Sequence, residues 1–326
     1  MGPKKRRSST VAKASKAQKH PKKTKSQEVR DDVTAPEQAT TETSTSEAKN
    51  TSHHHIVSDK SHHATILEKG HIFFFYRPKV EYKEAESIDD VQRLYMLLYP
   101  AKITKEDTET VDLHKRLIVI GKKKLPDLHL KGRPFWGLVE KAGTKIEEVS
   151  ESLDKENYTT QTRGERTVEG ARPCGEGVYA LIEHKGHTHL VYVLELPEEL
   201  GDVQKAFRIE KEGSYIVTVR NPDTPSRAAF GFNKNPAKFP DNLMEKFEGK
   251  KWCPVNPPSF LDYTGAEILI MSASDDLKTE FGKVGFQIEE DEKIEVEQLE
   301  KDTIFKELHM EKKEHPAKPL YTGTWE

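Results

Sequence analysis

Apolar and polar positions along the chain fall into three unlike stretches. From Met1 to about His63 there is no apolar run and no aromatic residue, and Thr40–Glu47 is low in complexity. Such a segment cannot bury enough apolar surface to offset the entropy of ordering it, so residues 1–63 are expected to be disordered. Dense, short apolar runs begin near Ile66. His71–Tyr76 reads as a buried strand ended by Arg77-Pro78, and Leu94–Tyr99, Arg116–Gly121, Phe135–Val139, Ser214–Val219 and Ala266–Met271 read as further strands. Ser87-Ile88-Asp89-Asp90 has the cap and first-turn acids of a short helix. Ile146, Val149 and Leu153 are spaced for a helix over Lys145–Lys155, and Asn242–Phe247 reads as another.

The clearest local signal is Val178–His184 and His187–Leu194 flanking Lys185-Gly186, a two-residue β-hairpin. Short strands, polar turns and few long helices predict an α+β fold, an antiparallel-rich sheet domain with short helices over residues 64–289. The recurrence of Asp90-Val91-Gln92 and Asp202-Val203-Gln204 between strands suggests a pseudo-two-fold repeat. Beyond Glu289 the chain is charged again, so residues 290–326 form a charged extension. In it, a helix near Lys301–Lys312 is expected to pack on the domain through Ile304, Phe305 and Leu308, and Pro316–Glu326 to be extended.

Charge sharpens this division. The net charge of -3 conceals ten Lys and Arg with no acid between Met1 and Lys25, and an acidic remainder. An acidic domain is a poor duplex-binding face, because Lys and Arg on phosphates supply most non-specific affinity. Two clusters stand in the tail, Lys4-Lys5-Arg6-Arg7 after Pro3, and Lys22-Lys23 with Lys25. Extended basic residues suit the acidic grooves of a nuclear import receptor, and two clusters can fill two grooves. The plain alternative is a polybasic tail that contacts nucleic acid, and the two roles can coexist. The nucleus is the expected location, with the cytoplasm as alternative. Ser8 and Ser9 directly follow the basic cluster, where phosphorylation would weaken either contact, although an unmodified serine-rich tail is as good a reading.

Two cysteines, Cys174 and Cys253, exclude a disulfide framework, and no apolar run reaches the length of a membrane span. No membrane contact is expected, and the core's protein partner is left open. The hairpin places His184, His187 and His189 on one surface, the arrangement a zinc site would need. No carboxylate or thiol is fixed beside them by spacing, so an ordinary imidazole cluster and no cofactor is the favoured reading. Arg163, Arg166 and Arg172 lie among glycines just before the hairpin and form a candidate anion or ligand site, against the plainer reading of a turn held by ion pairs. No phosphate-binding loop, nucleophile elbow or zinc-finger spacing occurs.

Several phrases together, Leu67–Gly70, Phe74–Val80, Asp89–Arg93, Thr162–Arg166, Gly175–Leu181 and His187–Leu190, resemble a fungal family commonly labelled BTB domain transcription factor, with tailless bacterial-looking relatives. The resemblance spans about Leu67 to Phe286. It implies a nuclear, transcription-related role and supplies no catalytic or binding residues.

Two functions are therefore expected to compete. The first is a nuclear non-catalytic interaction module, transcription- or chromatin-associated, with the tail for import and weak nucleic-acid contact. The second is an enzyme or small-ligand-binding domain using the Arg-rich loop beside the His-bearing hairpin. The absence of catalytic spacing favours the first. The second requires Arg163, Arg166 and Arg172 to converge with the three histidines on one pocket.

Overall fold

The computed structural model describes residues 64–105, 109–130, 133–162, 164–225, 235–274 and 303–326. Contacts divide the chain between Ser58 and Asp59, so that Asp59–Glu326 forms a unit by itself. The tail residues singled out above (Lys4, Lys5, Arg6, Arg7, Lys22, Lys23, Lys25, Ser8 and Ser9) and Arg163 lie outside the described residues.

In chain order the strands are β1 (Thr65–Pro78), β2 (Val91–Pro100), β3 (Ile103–Lys105), β4 (Glu109–Val111), β5 (Lys115–Ile120), β6 (Phe135–Gly143), β7 (Glu156–Thr160), β8 (Gly164–Val168), β9 (Arg172–His184), β10 (His187–Leu196), β11 (Glu212–Arg220), β12 (Trp252–Pro254) and β13 (Glu267–Ser274). Pairing runs β10-β9-β1-β2-β5-β6-β13-β11, and β11 pairs again with β10. Eight strands therefore close into an antiparallel barrel, which removes the sheet edges that an open sheet would have to protect. Hairpins β3–β4 and β7–β8 stand outside it, and β12 adds to the end of β11.

The antiparallel-rich α+β fold class holds in this more specific form. The chain contributes two meanders of four barrel strands, β1-β2-β5-β6 and β9-β10-β11-β13, joined antiparallel through β1–β9 and β6–β13. Asp90-Val91-Gln92 leads into the second strand of the first meander. Asp202-Val203-Gln204 lies in helix α2 (Asp202–Phe207), between the second and third strands of the other. The two tripeptides are thus not equivalent in this topology.

Alternation along the strands explains the filling. Ile72, Phe74 and Tyr76 of β1 join Leu94, Met96 and Leu98 of β2 in one buried cluster drawn from all eight barrel strands, which occupies the lumen. Aromatic rings pack within it, Phe74 against Tyr192 at 5.5 Å and Tyr192 over Tyr215 at 6.3 Å. Phe73, Phe75, Tyr95 and Leu97 point the other way into a second cluster outside the barrel wall. That cluster is covered by α1 (Glu147–Ser150), by Leu153, and by Ile304, Phe305 and Leu308 in and after a short helix, α4 (Thr303–Glu307). Burial on both faces is why these strands read as continuous apolar runs rather than alternating ones.

The helices expected over Lys145–Lys155 and Asn242–Phe247 occur as short helical stretches, the second including α3 (Asp241–Met244). The stretch expected to be extended, Pro316–Glu326, contains instead a helical turn, α5 (Lys318–Thr322), opened by a proline at its first positions and closed by Gly323 at φ 66°.

Each barrel end is closed by segments packed against the lumen cluster. At one end lie Leu125, Val203, Phe207 and the partly buried Trp325. At the other lies the stretch carrying Phe239, Phe247 and Phe260, whose rings meet at 5.3–5.9 Å.

Candidate functional site: a groove over a buried arginine

A groove of about 600 Å³ opens at this second end, between the start of β1, the chain after β2 and the turn Pro257–Asp262. Ile66, Leu67, Leu113, Pro257 and Pro258 give it apolar sides, and Glu68, Arg116 and Asp262 give it a charged floor. Arg116, the second residue of β5, lies on the face that Ile118 and Ile120 turn to the lumen, and Glu68 shares the lumen face of β1 with Ile72 and Phe74. The barrel's pleat therefore carries both charges inward.

Arg116 is 2% exposed. Its Nε donates to Asp262 Oδ1 at 2.7 Å and its Nη1 to Glu68 Oε1 at 2.5 Å. The hydroxyl of Tyr179 also donates to Glu68 Oε1, at 2.7 Å, and His114 Nδ1 lies 3.7 Å from Asp262 Oδ2. Burial alone would lower the pKa of Arg116, but Glu68, Tyr179 and Asp262 outweigh it and hold the guanidinium charged. Burial raises the pKa of Asp262 against the opposing pull of Arg116. The Tyr179 hydroxyl is pushed well up, first by burial and then by Glu68. Two carboxylates thus face one guanidinium at the foot of an apolar-walled groove, held rigidly by their mutual bonds.

The arginines expected near the hairpin do other work. Arg166 Nε pairs with Glu81 Oε1 at 2.7 Å on an exposed surface. Arg172, 4% exposed, has its Nε 2.9 Å from both carboxylate oxygens of Glu326, while Nη1 donates to Gly170 O and Nη2 to Lys83 O. Arg172 and His184 are the first and last residues of β9, so about 40 Å of strand separates them. The expectation of an Arg-rich loop beside the hairpin is corrected on this point: its described arginines sit in ion pairs, Arg172 at the opposite end of the barrel from the hairpin.

The hairpin itself is as expected, with Lys185 and Gly186 both at positive φ, as a tight turn of this kind requires. His184 stands opposite His187, and the rings of His184 and His189 lie 5.8 Å apart. His189 is buried, with Nδ1 3.2 Å from Ser214 Oγ, and burial followed by His184, His187 and Lys185 lowers its pKa to about 4. Among the described residues no group of three or more His, Cys, Asp or Glu has an arrangement that would hold a metal ion, the three hairpin histidines included. Burial pushes the thiol of Cys174 far up and that of Cys253 to about 12. Among the described residues no helix is long and apolar enough to cross a membrane.

Fold and site together define a closed, side-chain-filled antiparallel barrel with a charged groove at one end. Comparison of the chain with protein-family models, with curated proteins and with solved structures finds no match.

Proposed function

We propose that the chain is a nuclear interaction module in which the two parts divide the labour. The barrel offers a ready-formed groove to a partner, and the basic tail carries the import signal and makes weak nucleic-acid contacts. The observation that carries the barrel's share is the groove over Arg116. Its apolar sides supply area, while the paired charges at its foot are already oriented before anything binds, which lowers the cost of recognition. The tail's share rests on Lys4–Arg7 and Lys22–Lys25, and the resemblance to the fungal family labelled BTB domain transcription factor supports the nuclear, transcription-related placement.

A reporter fused to residues 1–63 tests the tail. It accumulates in the nucleus, and replacing Lys4, Lys5, Arg6, Arg7, Lys22, Lys23 and Lys25 by alanine spreads it evenly through the cell. Even distribution of the unaltered fusion would contradict the reading.

A second reading, a small-ligand-binding domain, is favoured by one observation: the groove's volume lies within the ~300–1,000 Å³ of small-molecule sites. The thermal stability of the barrel in the presence of a metabolite panel separates the two. Stabilisation by a small molecule that Leu67→Glu abolishes selects the second reading.

A further inference from the structure

Residues 275–302 separate β13 from Thr303–Glu326, which then returns to the barrel along its wall and over the end opposite the groove. Along the wall, Ile304, Phe305 and Leu308 join the outward Phe73, Phe75 and Leu117 in one buried cluster. At the end, the ring of Trp325 sits against Tyr76 at 5.4 Å and Phe207 at 5.5 Å, and Glu326 lies on Arg172.

Two of the barrel groups that reach the segment, Arg172 and Gln204, are also fixed by bonds on the barrel side. Arg172 is held by its Nη1 and Nη2 bonds to Gly170 O and Lys83 O, which leaves Nε for Glu326. The Gln204 amide nitrogen donates to Cys174 O at 2.8 Å and to Pro319 O at 3.0 Å, while its oxygen accepts from Gly201 N. Val203 N donates to Gly323 O at 3.0 Å from the first turn of α2. The backbones approach so closely that a Cβ on Gly201 would lie 2.1 Å from Gly323 O. Donors oriented in advance, an aromatic clamp and a backbone-to-backbone bond are the means by which a protein surface receives a peptide.

The same contact leaves polar atoms buried without a hydrogen-bond partner: Tyr76 Oη under Trp325 and Glu326, and His71 Nδ1 near Glu307 Oε2 along the wall. Each carries a desolvation cost that no hydrogen bond offsets.

We propose that the barrel wall and this end form a peptide-acceptor site, that Thr303–Glu326 occupies it as a ligand in cis, and that the same segment of a second copy of the chain occupies it in trans. Both modes make identical contacts, so concentration decides between them, and reciprocal exchange gives a symmetric pair. The site lies at the end away from the groove, so the inference stands apart from the function proposed for the groove.

The test uses the full chain with a protease recognition sequence inserted within residues 275–302. After cleavage, a labelled synthetic peptide of residues 303–326 is titrated in and its anisotropy followed. The peptide exchanges into the cut protein with saturable binding. Trp325→Ala with Glu326→Gln in the peptide, or Arg172→Met in the protein, weakens binding by about 30-fold. A cut protein that never exchanges its segment, or that unfolds when the segment leaves, overturns the proposal. The uncut chain gives the second readout. Copies bearing two labels form a mixed dimer at high concentration, and an excess of the free peptide of residues 303–326 dissociates it. Monomer alone at every concentration overturns the exchange in trans.

Discussion

Arg116 and Glu68 meet at the foot of the groove across the strand that lies between theirs. β1 and β5 both pair with β2, and the guanidinium reaches the carboxylate at 2.5 Å while remaining 2% exposed. Removing one partner of such a pair leaves the others buried and uncompensated. Arg116→Met is expected to destabilise the barrel by about 3–5 kcal/mol. Adding Glu68→Gln recovers part of that loss, because it removes a charge left without its counterion. Denaturant unfolding of the two single variants and the double variant checks this. Additive losses would mean that the two side chains act independently.

Close backbone approach makes a second prediction. A Cβ on Gly177 of β9 would lie 2.1 Å from Val193 O of β10, a backbone atom that cannot swing aside. Gly177→Ala is expected to cost at least about 3 kcal/mol, seen as a fall of roughly 6 °C or more in the thermal midpoint. Gly186→Ala in the hairpin turn meets nothing within 4 Å, and its cost comes only from the positive φ of 77°. It should be about 1 kcal/mol. Similar losses at the two positions would argue against the β9–β10 approach.

His189 gives the barrel a defined response to acid. Its folded pKa, about 4, lies below the ordinary imidazole value, so the fold holds the neutral ring. That contribution is complete above about pH 6.5 and is lost as pH falls from there through about 4. Asp262, Glu307 and Glu326 have raised pKa values through burial and pull the other way, since their contribution fades as pH rises. The difference between proteins therefore isolates the histidine. His189→Gln is expected to narrow the gap between the thermal midpoints at pH 7.5 and 4.5, and an unchanged gap would contradict the assignment.

Both cysteines are buried and their thiols held protonated, Cys253 up to about 12. Neither is expected to react with a maleimide at pH 7.5 while the barrel is folded, and both react in denaturant. Mass spectrometry of the native and unfolded chain checks this. Labelling of Cys253 in the native state would show that the cover over it opens.

The strands of the barrel wall were legible because their apolar runs are dense, and Lys185-Gly186 marked its hairpin although lysine suits the first turn position less well than asparagine or aspartate. Closure was not legible. The pairings β1–β9 and β11–β13 join residues far apart in sequence, and periodicity carries no information on which strands become neighbours. Hairpin β7–β8 escaped notice because its exposed residues, Glu156–Thr160, lack the apolar alternation that marks a half-buried strand. The groove escaped for another reason. Glu68 and Arg116 look like ordinary charged strand ends until their parity with Ile72 and Ile118 is counted. Even then Asp262, which holds Arg116 from a turn 146 residues away, leaves no local trace. Arg172 drew attention as part of a glycine-rich loop, whereas its role is fixed by Glu326, a partner that spacing cannot reveal.

The division of labour between tail and barrel is tested most directly by nucleic-acid binding at two salt concentrations, comparing the full chain with the chain lacking residues 1–63. The account predicts that the full chain binds DNA and RNA weakly, that added salt weakens binding further, and that binding vanishes with the tail. Salt-sensitive binding that survives removal of residues 1–63 would place a nucleic-acid surface on the barrel and contradict the account.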